Sequence, residues 1–292
     1  MKTSSNKKNK AYKKKDDKSF AKGGNKPYKS KSKFSKHGPK QTKVTPEEKP
    51  VKKLKESMRL NKFIANSGIC SRREADVFIK SGNVMVNGEV VTEMGYQVMP
   101  GDEVRFDNEV INPEVKRYVL LNKPKDYITT MDDERGRKTV MDLVSKASKE
   151  RIYPVGRLDR KTTGLLLFTN DGELAKKLTH PKHDIRKIYH VVLDKNLKAS
   201  DLKTIANPQF KVEGLPVFVD SISYIEHTPK NELGIEIHSG RNRIIRKIFE
   251  SLNYKVIKLD RVIFAGLDKK DLPRGKWRHL TNQEVINLKN IK

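Results

Sequence analysis

The stretch Gly156-Arg157-Leu158-Asp159-Arg160-Lys161-Thr162-Thr163-Gly164-Leu165-Leu166-Leu167-Phe168-Thr169-Asn170-Asp171-Gly172 joins a charged loop directly to an apolar run. Asp159 is a single carboxylate set between Arg157 and Arg160. The run Leu165–Phe168 behind it has the length and composition of a buried strand. A polar loop held against a buried strand is how a rigid scaffold presents a reactive group. Taken alone, a loop aspartate is more often a turn or cap residue. Asp159 acquires chemical meaning only from what surrounds it.

The chain has 292 residues, enough for two small domains and a tail. Its formal net charge of +27 points to a polyanion or an anionic surface as partner. There is no run of eighteen apolar residues, so no membrane span is expected. The charged N-terminus has no apolar segment behind it and does not read as a secretory signal. The single Cys70 excludes an internal disulfide framework and suits a reducing cytoplasm. His180 and His183 lie three apart, but no further Cys or His completes a set, so no metal site is expected.

Three segments follow. Residues 1–57 hold 20 Lys, no Arg and 5 acidic residues, which places +15 of the +27 in this stretch. With so few large apolar side chains it reads as a disordered Lys-rich tail able to contact phosphates without sequence preference. Residues 58–113 read as a small binding module. Leu60, Phe63 and Ile64 share a helical face, Ser71-Arg72-Arg73-Glu74 is a capping box opening a second helix, and Asn87-Gly88 is a hairpin turn. Residues 115–292 form a larger domain. Strands are expected at 118–121, 165–168, 188–193, 217–219, 234–238, 256–264 and 277–280, with helices at 172–178, 199–206, 242–252 and after Thr281. Strands outnumber helices and come in runs, which predicts an α+β fold with a mixed, mainly antiparallel sheet.

Four motifs stand in one order: Asn122-Lys123-Pro124-Lys125, the Asp159 run, Lys187-Ile188-Tyr189, and Gly240-Arg241-Asn242-Arg243-Ile244-Ile245-Arg246. In this order they resemble the RNA pseudouridine synthases of the Rsu and Rlu type, which modify single uridines in ribosomal RNA. Within that family, residues 122–144 are most similar to the large-subunit (23S) branch, with small-subunit (16S) members as close rivals. Arg59-Leu60-Asn61-Lys62 through Val86-Asn87-Gly88 resembles the S4-type RNA-binding domain.

The resemblance implies a pseudouridine synthase domain with a cleft across its sheet and a set of roles. Asp159 is the essential acid, Arg246 the guanidinium that pairs with it, and Tyr189 the ring against the uracil. Arg157, Leu158 and Ile245 belong to the pocket for the flipped base. Arg59, Lys62, Arg72, Arg73, Lys123, Arg241 and Arg243 are the expected RNA contacts. The reaction oxidises nothing and releases no group, so no cofactor is expected. Glycoside hydrolysis uses two carboxylates; here the base never departs and water is excluded, so one suffices. The expected partner is ribosomal RNA or a pre-ribosomal particle, met by a cytoplasmic monomer. Two positions depart from the family pattern: Asp126 where Gly is common, and Ile244 where Gln is common. A non-catalytic RNA-binding or ribosome-assembly factor is the rival reading, which the tail and small module support equally well.

Overall fold

In the computed structural model of the protein the described residues are 56–291, so the tail expected over 1–57 lies almost entirely outside them. The described residues belong to one compact unit. Its N-terminal part opens with a two-residue strand, β1 (Met58–Arg59), and two helices, α1 (Leu60–Asn66) and α2 (Arg72–Lys80). Ser71 caps α2 through the Glu74 amide, and the Glu74 carboxylate accepts from the Ser71 amide, completing the capping box. Strands β2 (Val84–Val86) and β3 (Glu89–Val90) form the expected hairpin, with Asn87 and Gly88 both at positive φ (53° and 86°). Strand β4 (Gln97–Val98) pairs with β1, and β5 (Val104–Phe106) joins β2 to β6 (Glu109–Val110). Leu60, Phe63, Ile64, Ala75, Ile79 and Val84 bury a separate small core.

Residues 111–117 carry the chain onward without helix or strand. The second part comprises β7 (Tyr118–Lys123), α3 (Val140–Val144), β8 (Tyr153–Pro154), β9 (Thr163–Thr169), α4 (Gly172–Thr179), β10 (Lys187–Leu193) and α5 (Ala199–Ala206). These are followed by β11 (Lys211–Val212), β12 (Leu215–Pro216), β13 (Ser221–Tyr224), β14 (Glu232–Ile237), α6 (Ile244–Glu250), β15 (Val256–Phe264), β16 (Trp277–His279) and α7 (Asn282–Asn290). Seven strands form one sheet in the order β13-β14-β10-β15-β9-β7-β16, and β8 pairs with β9 as the eighth. All pairings in it are antiparallel except β15 with β9. The expected α+β class with a mixed, mainly antiparallel sheet is therefore the observed one.

Both faces of this sheet are covered. Leu166 and Phe168 of β9 pack with Tyr189, Val191, Ile245 and Phe249 on one face. Leu165 and Leu167 pack with Leu174 and Leu178 of α4 and Leu288 of α7 on the other. A strand buried on both sides has no polar alternation, which is why residues 165–168 read as a continuous apolar run. Thr281 caps α7 as the sequence predicts.

Two elements differ from the sequence reading. Residues 217–219 are not a strand: Val217 donates back to Phe210, Phe218 stands exposed, and sheet pairing begins only at Ser221. The helix expected over 242–252 is shorter, Ile244–Glu250, because Arg243 adopts a left-handed conformation (φ 50°) that cannot continue a helix.

Gly164 sits where β9 runs beside β15, with φ +109°. A Cβ placed there would lie 2.2 Å from the carbonyl oxygen of Arg261. Backbone, not a flexible side chain, fills that space, so Gly164→Ala is expected to lower stability by about 2–3 kcal/mol. The midpoint of urea unfolding measures it; an unchanged midpoint removes this close approach as a constraint.

Candidate active site

The loop between β8 and β9 carries Arg157, Leu158 and Asp159. It leaves from β9 pairing, where the Val155 amide donates to the Leu167 carbonyl (2.7 Å), and closes in a turn within the loop, where the Thr162 amide donates to the Asp159 carbonyl (3.0 Å). Leu158 is buried, and Thr129 grips it twice: the Thr129 hydroxyl donates to the Leu158 carbonyl (2.8 Å) and accepts from the Leu158 amide (3.3 Å). Arg157 and Asp159 on either side are exposed. The alternation turns one side chain into the core and its neighbours outward.

Lys123 is the central support of this loop. Its side chain is fully buried at the end of β7. The ammonium donates to four backbone carbonyls: Thr162 (2.9 Å), Pro124 (3.1 Å), Asp159 (3.2 Å) and Arg160 (3.4 Å). Burial pushes its pKa down to about 8, against the opposing pull of the Asp126 and Asp159 carboxylates. The expectation that Lys123 contacts phosphate does not hold. A side chain closed inside the protein with its donors taken by carbonyls cannot reach solvent RNA. Asp126 adds a further tie, its amide donating to the Arg160 carbonyl (2.9 Å). Asp126 itself has φ 68°, the left-handed region in which glycine is free. The departure from the family's glycine thus leaves the turn in place at a modest backbone cost.

A second network braces the strands below the loop. Asp260 of β15 accepts from Thr163 of β9 (2.8 Å), from both terminal nitrogens of Arg274 (2.9 and 3.0 Å) and from Lys269. Arg274 also donates to the Asn122 side chain of β7 (2.7 Å), so Arg274 and Asp260 together tie β7, β15 and β9. Burial works to raise the Asp260 pKa, but the hydrogen bonds from Arg274, Lys269 and Thr163 outweigh it and hold the group at about 2. Neither Asp260 nor Arg274 belongs to a motif read from the sequence. Asn122 does, and its buried amide, bonded to Arg274 and Leu272, was the available signal.

Tyr189, Leu158 and Ile245 are buried in one apolar cluster. Tyr189 pairs across β10–β15 with Arg261, which pairs across β15–β9 with Gly164. This puts Tyr189 two strand spacings, about 10 Å, from the foot of the Asp159 loop. Arg246 projects from α6 and is half-buried, its guanidinium donating to the Val256 carbonyl (3.0 Å). Burial and the neighbouring Arg243 lower its pKa, while Asp159 and Glu250 act the other way. Arg246 therefore feels the Asp159 charge, but no salt bridge joins the two among the described residues; the contact it makes is to Val256. Ile244, where the family often has Gln, is buried in the same cluster.

The expected RNA contacts divide. Arg59, Arg72 and Arg73 are exposed on the small module. Lys62 instead joins the two parts of the chain, paired at 2.6 Å with Glu173 of α4. Arg241 donates to the Pro216 carbonyl (2.9 Å) and Arg243 pairs with Glu250 (3.5 Å), both at the surface. Among the described residues no helix is long and apolar enough to cross a membrane.

The family model described as RNA pseudouridylate synthase matches residues 117–251, and the S4 domain model matches residues 58–104. Over 236 residues the chain is 41% identical to the ribosomal large subunit pseudouridine synthase B of Bacillus subtilis, covering 80% of this chain and 96% of that one. The chain belongs to the RNA pseudouridylate synthase family. It is also 37% identical, over 80% of its length and 78% of the relative's, to a dual-specificity RNA pseudouridine synthase of Escherichia coli. A crystal structure of a pseudouridylate synthase superposes with a TM-score of 0.54 at 29% identity, covering 79% of this chain and 99% of that one. An S4 domain followed by a synthase domain marks this protein as an RNA-binding pseudouridine synthase.

Two outcomes test the geometry. Lys123→Met is expected to lower kcat about 10–100-fold through displacement of the Asp159 loop, with RNA affinity unchanged. A loss of affinity at constant kcat would restore the phosphate-contact reading. For Asp260 the folded pKa lies below the unfolded value of about 3.9. Its contribution to stability is therefore complete above pH 4 and is lost as pH falls toward about 2. Asp260→Asn should flatten the acid limb of a stability–pH profile over that window; an unaltered limb would show that the network does not act.

Proposed function

We propose that the protein converts one uridine of large-subunit ribosomal RNA to pseudouridine, with Asp159 as the essential acid. The observation that carries this is a solvent-facing carboxylate whose own backbone is clamped by Lys123 and whose neighbour Leu158 lies in one apolar cluster with Tyr189 and Ile245. The Bacillus subtilis relative, named as a large-subunit enzyme, supports the RNA class.

In the proposed reaction the target nucleotide leaves its stack, at a cost of roughly a few kcal/mol. The bond from ribose C1′ to uracil N1 breaks, the base turns while held, and C1′ rejoins at C5. The proton on C5 is removed and N1 ends protonated, so product and substrate are isomers. Asp159 acts on the uridine, Arg246 is the guanidinium that comes to face it, and Tyr189 lies against the ring as the group placed to take the C5 proton. Ile245 and Leu158 keep the pocket dry. Arg157 supports the flipped nucleotide. Arg59, Arg72, Arg73, Arg241 and Arg243 contact phosphates. The enzyme works as a monomer in the cytoplasm, on free ribosomal RNA or on an assembling particle.

Release of tritium from 5-tritiated uridine in 23S transcripts is the direct assay. Wild-type release abolished in Asp159→Asn is the expected result. Release that persists in the variant removes Asp159 from its role, and RNA binding with no release by the wild type makes the protein a non-catalytic RNA-binding factor. Deleting residues 1–57 should weaken RNA binding and flatten its salt dependence while leaving the saturated rate intact. A truncated chain with an unchanged salt slope shows that the tail does not contact phosphate.

A further inference from the structure

An open groove of about 630 Å³ lies outside the Asp159 site, along α4 and the single 3-10 turn Pro181–His183. Lys176, Lys177, Lys182, Lys289, His180 and His183 line it. Two acids share the lining, and both are engaged elsewhere. Asp171 accepts from the Tyr118 hydroxyl (2.8 Å) and from the Leu174 amide (3.3 Å), and Glu173 is held by Lys62 at 2.6 Å. None of the four lysines forms a salt bridge among the described residues; Lys177 donates to the Lys289 carbonyl (2.8 Å). Four lysines against two carboxylates, one of them paired with Lys62, leave the groove net positive.

Its two ends are informative. At the N-terminal end of α4, Glu173 meets Lys62 of the S4-type part. At the other end, the Thr179 methyl lies 3.7 Å from where a Cβ on Gly156 would stand, directly before Arg157. Gly156 is where the chain crosses the sheet, since Val155 packs on the α4 side and Leu158 on the side of Tyr189. Between these ends α4, eight residues long, spans about 12 Å.

We propose that this groove carries the phosphate backbone of the RNA strand running between the S4-type module and the Asp159 loop. The inference rests on the ribosomal RNA reading above and adds a binding track to it. An open lining in which lysines predominate, four of them along one helix and its neighbours, suits a polyanion rather than a small ligand. Contacts of this kind position a strand without reading its sequence.

Lys176 and Lys182 are both exposed, so their substitution leaves packing undisturbed. The full-length chain carrying Lys176→Glu and Lys182→Glu is compared with wild type by filter binding to 23S transcripts over a range of salt. The expected result is a Kd raised at least tenfold, with the log–log salt slope reduced by about 1–2. The single-turnover isomerisation rate at saturating RNA stays unchanged. The control pair Lys195→Glu and Lys203→Glu, on the loop before α5 and on α5, should show a much smaller effect. Unchanged Kd and slope in the groove variant, or an equal effect in the control pair, overturns the proposal. Lys176→Ala with Lys182→Ala repeats the measurement should the reversed charges impair folding. A wild type that binds RNA through the groove but releases no tritium sinks the functional reading and leaves this one standing.

Discussion

A buried ammonium surrounded by four carbonyl oxygens is the interaction on which the site depends. An unpartnered charge in that position would be prohibitively costly, so Lys123 holds Pro124, Asp159, Arg160 and Thr162 to itself. The constraint is reciprocal. The carbonyls stabilise the charge, and the charge fixes the one turn from which Asp159 faces outward. The Asp159 carboxylate is thus located through its backbone, with the side chain exposed.

Support for that turn passes downward into the sheet. Arg274 links Asn122 on β7 to Asp260 on β15, and Asp260 accepts from Thr163 on β9. These are the strands that meet beneath the loop. Close approach of β9 to β15 requires Gly164, and the left-handed Asp126 closes the opposite side. Each device acts at the same end of β9, so these supports converge on the turn that carries Asp159.

Much of this was legible in the sequence where local chemistry decides structure. The capping boxes at Ser71 and Thr281, the Asn87-Gly88 turn, the helix 199–206 and the strand 256–264 follow from pattern alone. The limits are equally physical. Residues 217–219 have the composition of a strand, but no neighbour pairs with them in the sheet; β-propensity records packing, not pairing. The left-handed Arg243 leaves no trace in composition. Lys123 was misread because lysines are usually at the surface. Only the folded chain shows carbonyls converging on one. Nor could sequence disclose that Lys62 joins the two parts of the chain through Glu173, since 111 residues separate them. Tyr189, Leu158 and Ile245, which the family resemblance groups as a pocket, all lie in the large apolar core, where pattern alone would also put them.

Strand β9 has all seven of its residues buried and lies inside the sheet, paired with β7, β8 and β15. Its amides have no route to solvent short of the whole domain coming apart, so they belong with the slowest in the molecule to exchange their hydrogens for deuterium. The two-residue strands β11 and β12 pair only with each other, outside that sheet. The Asp159 loop is therefore mounted next to the strand expected to open last.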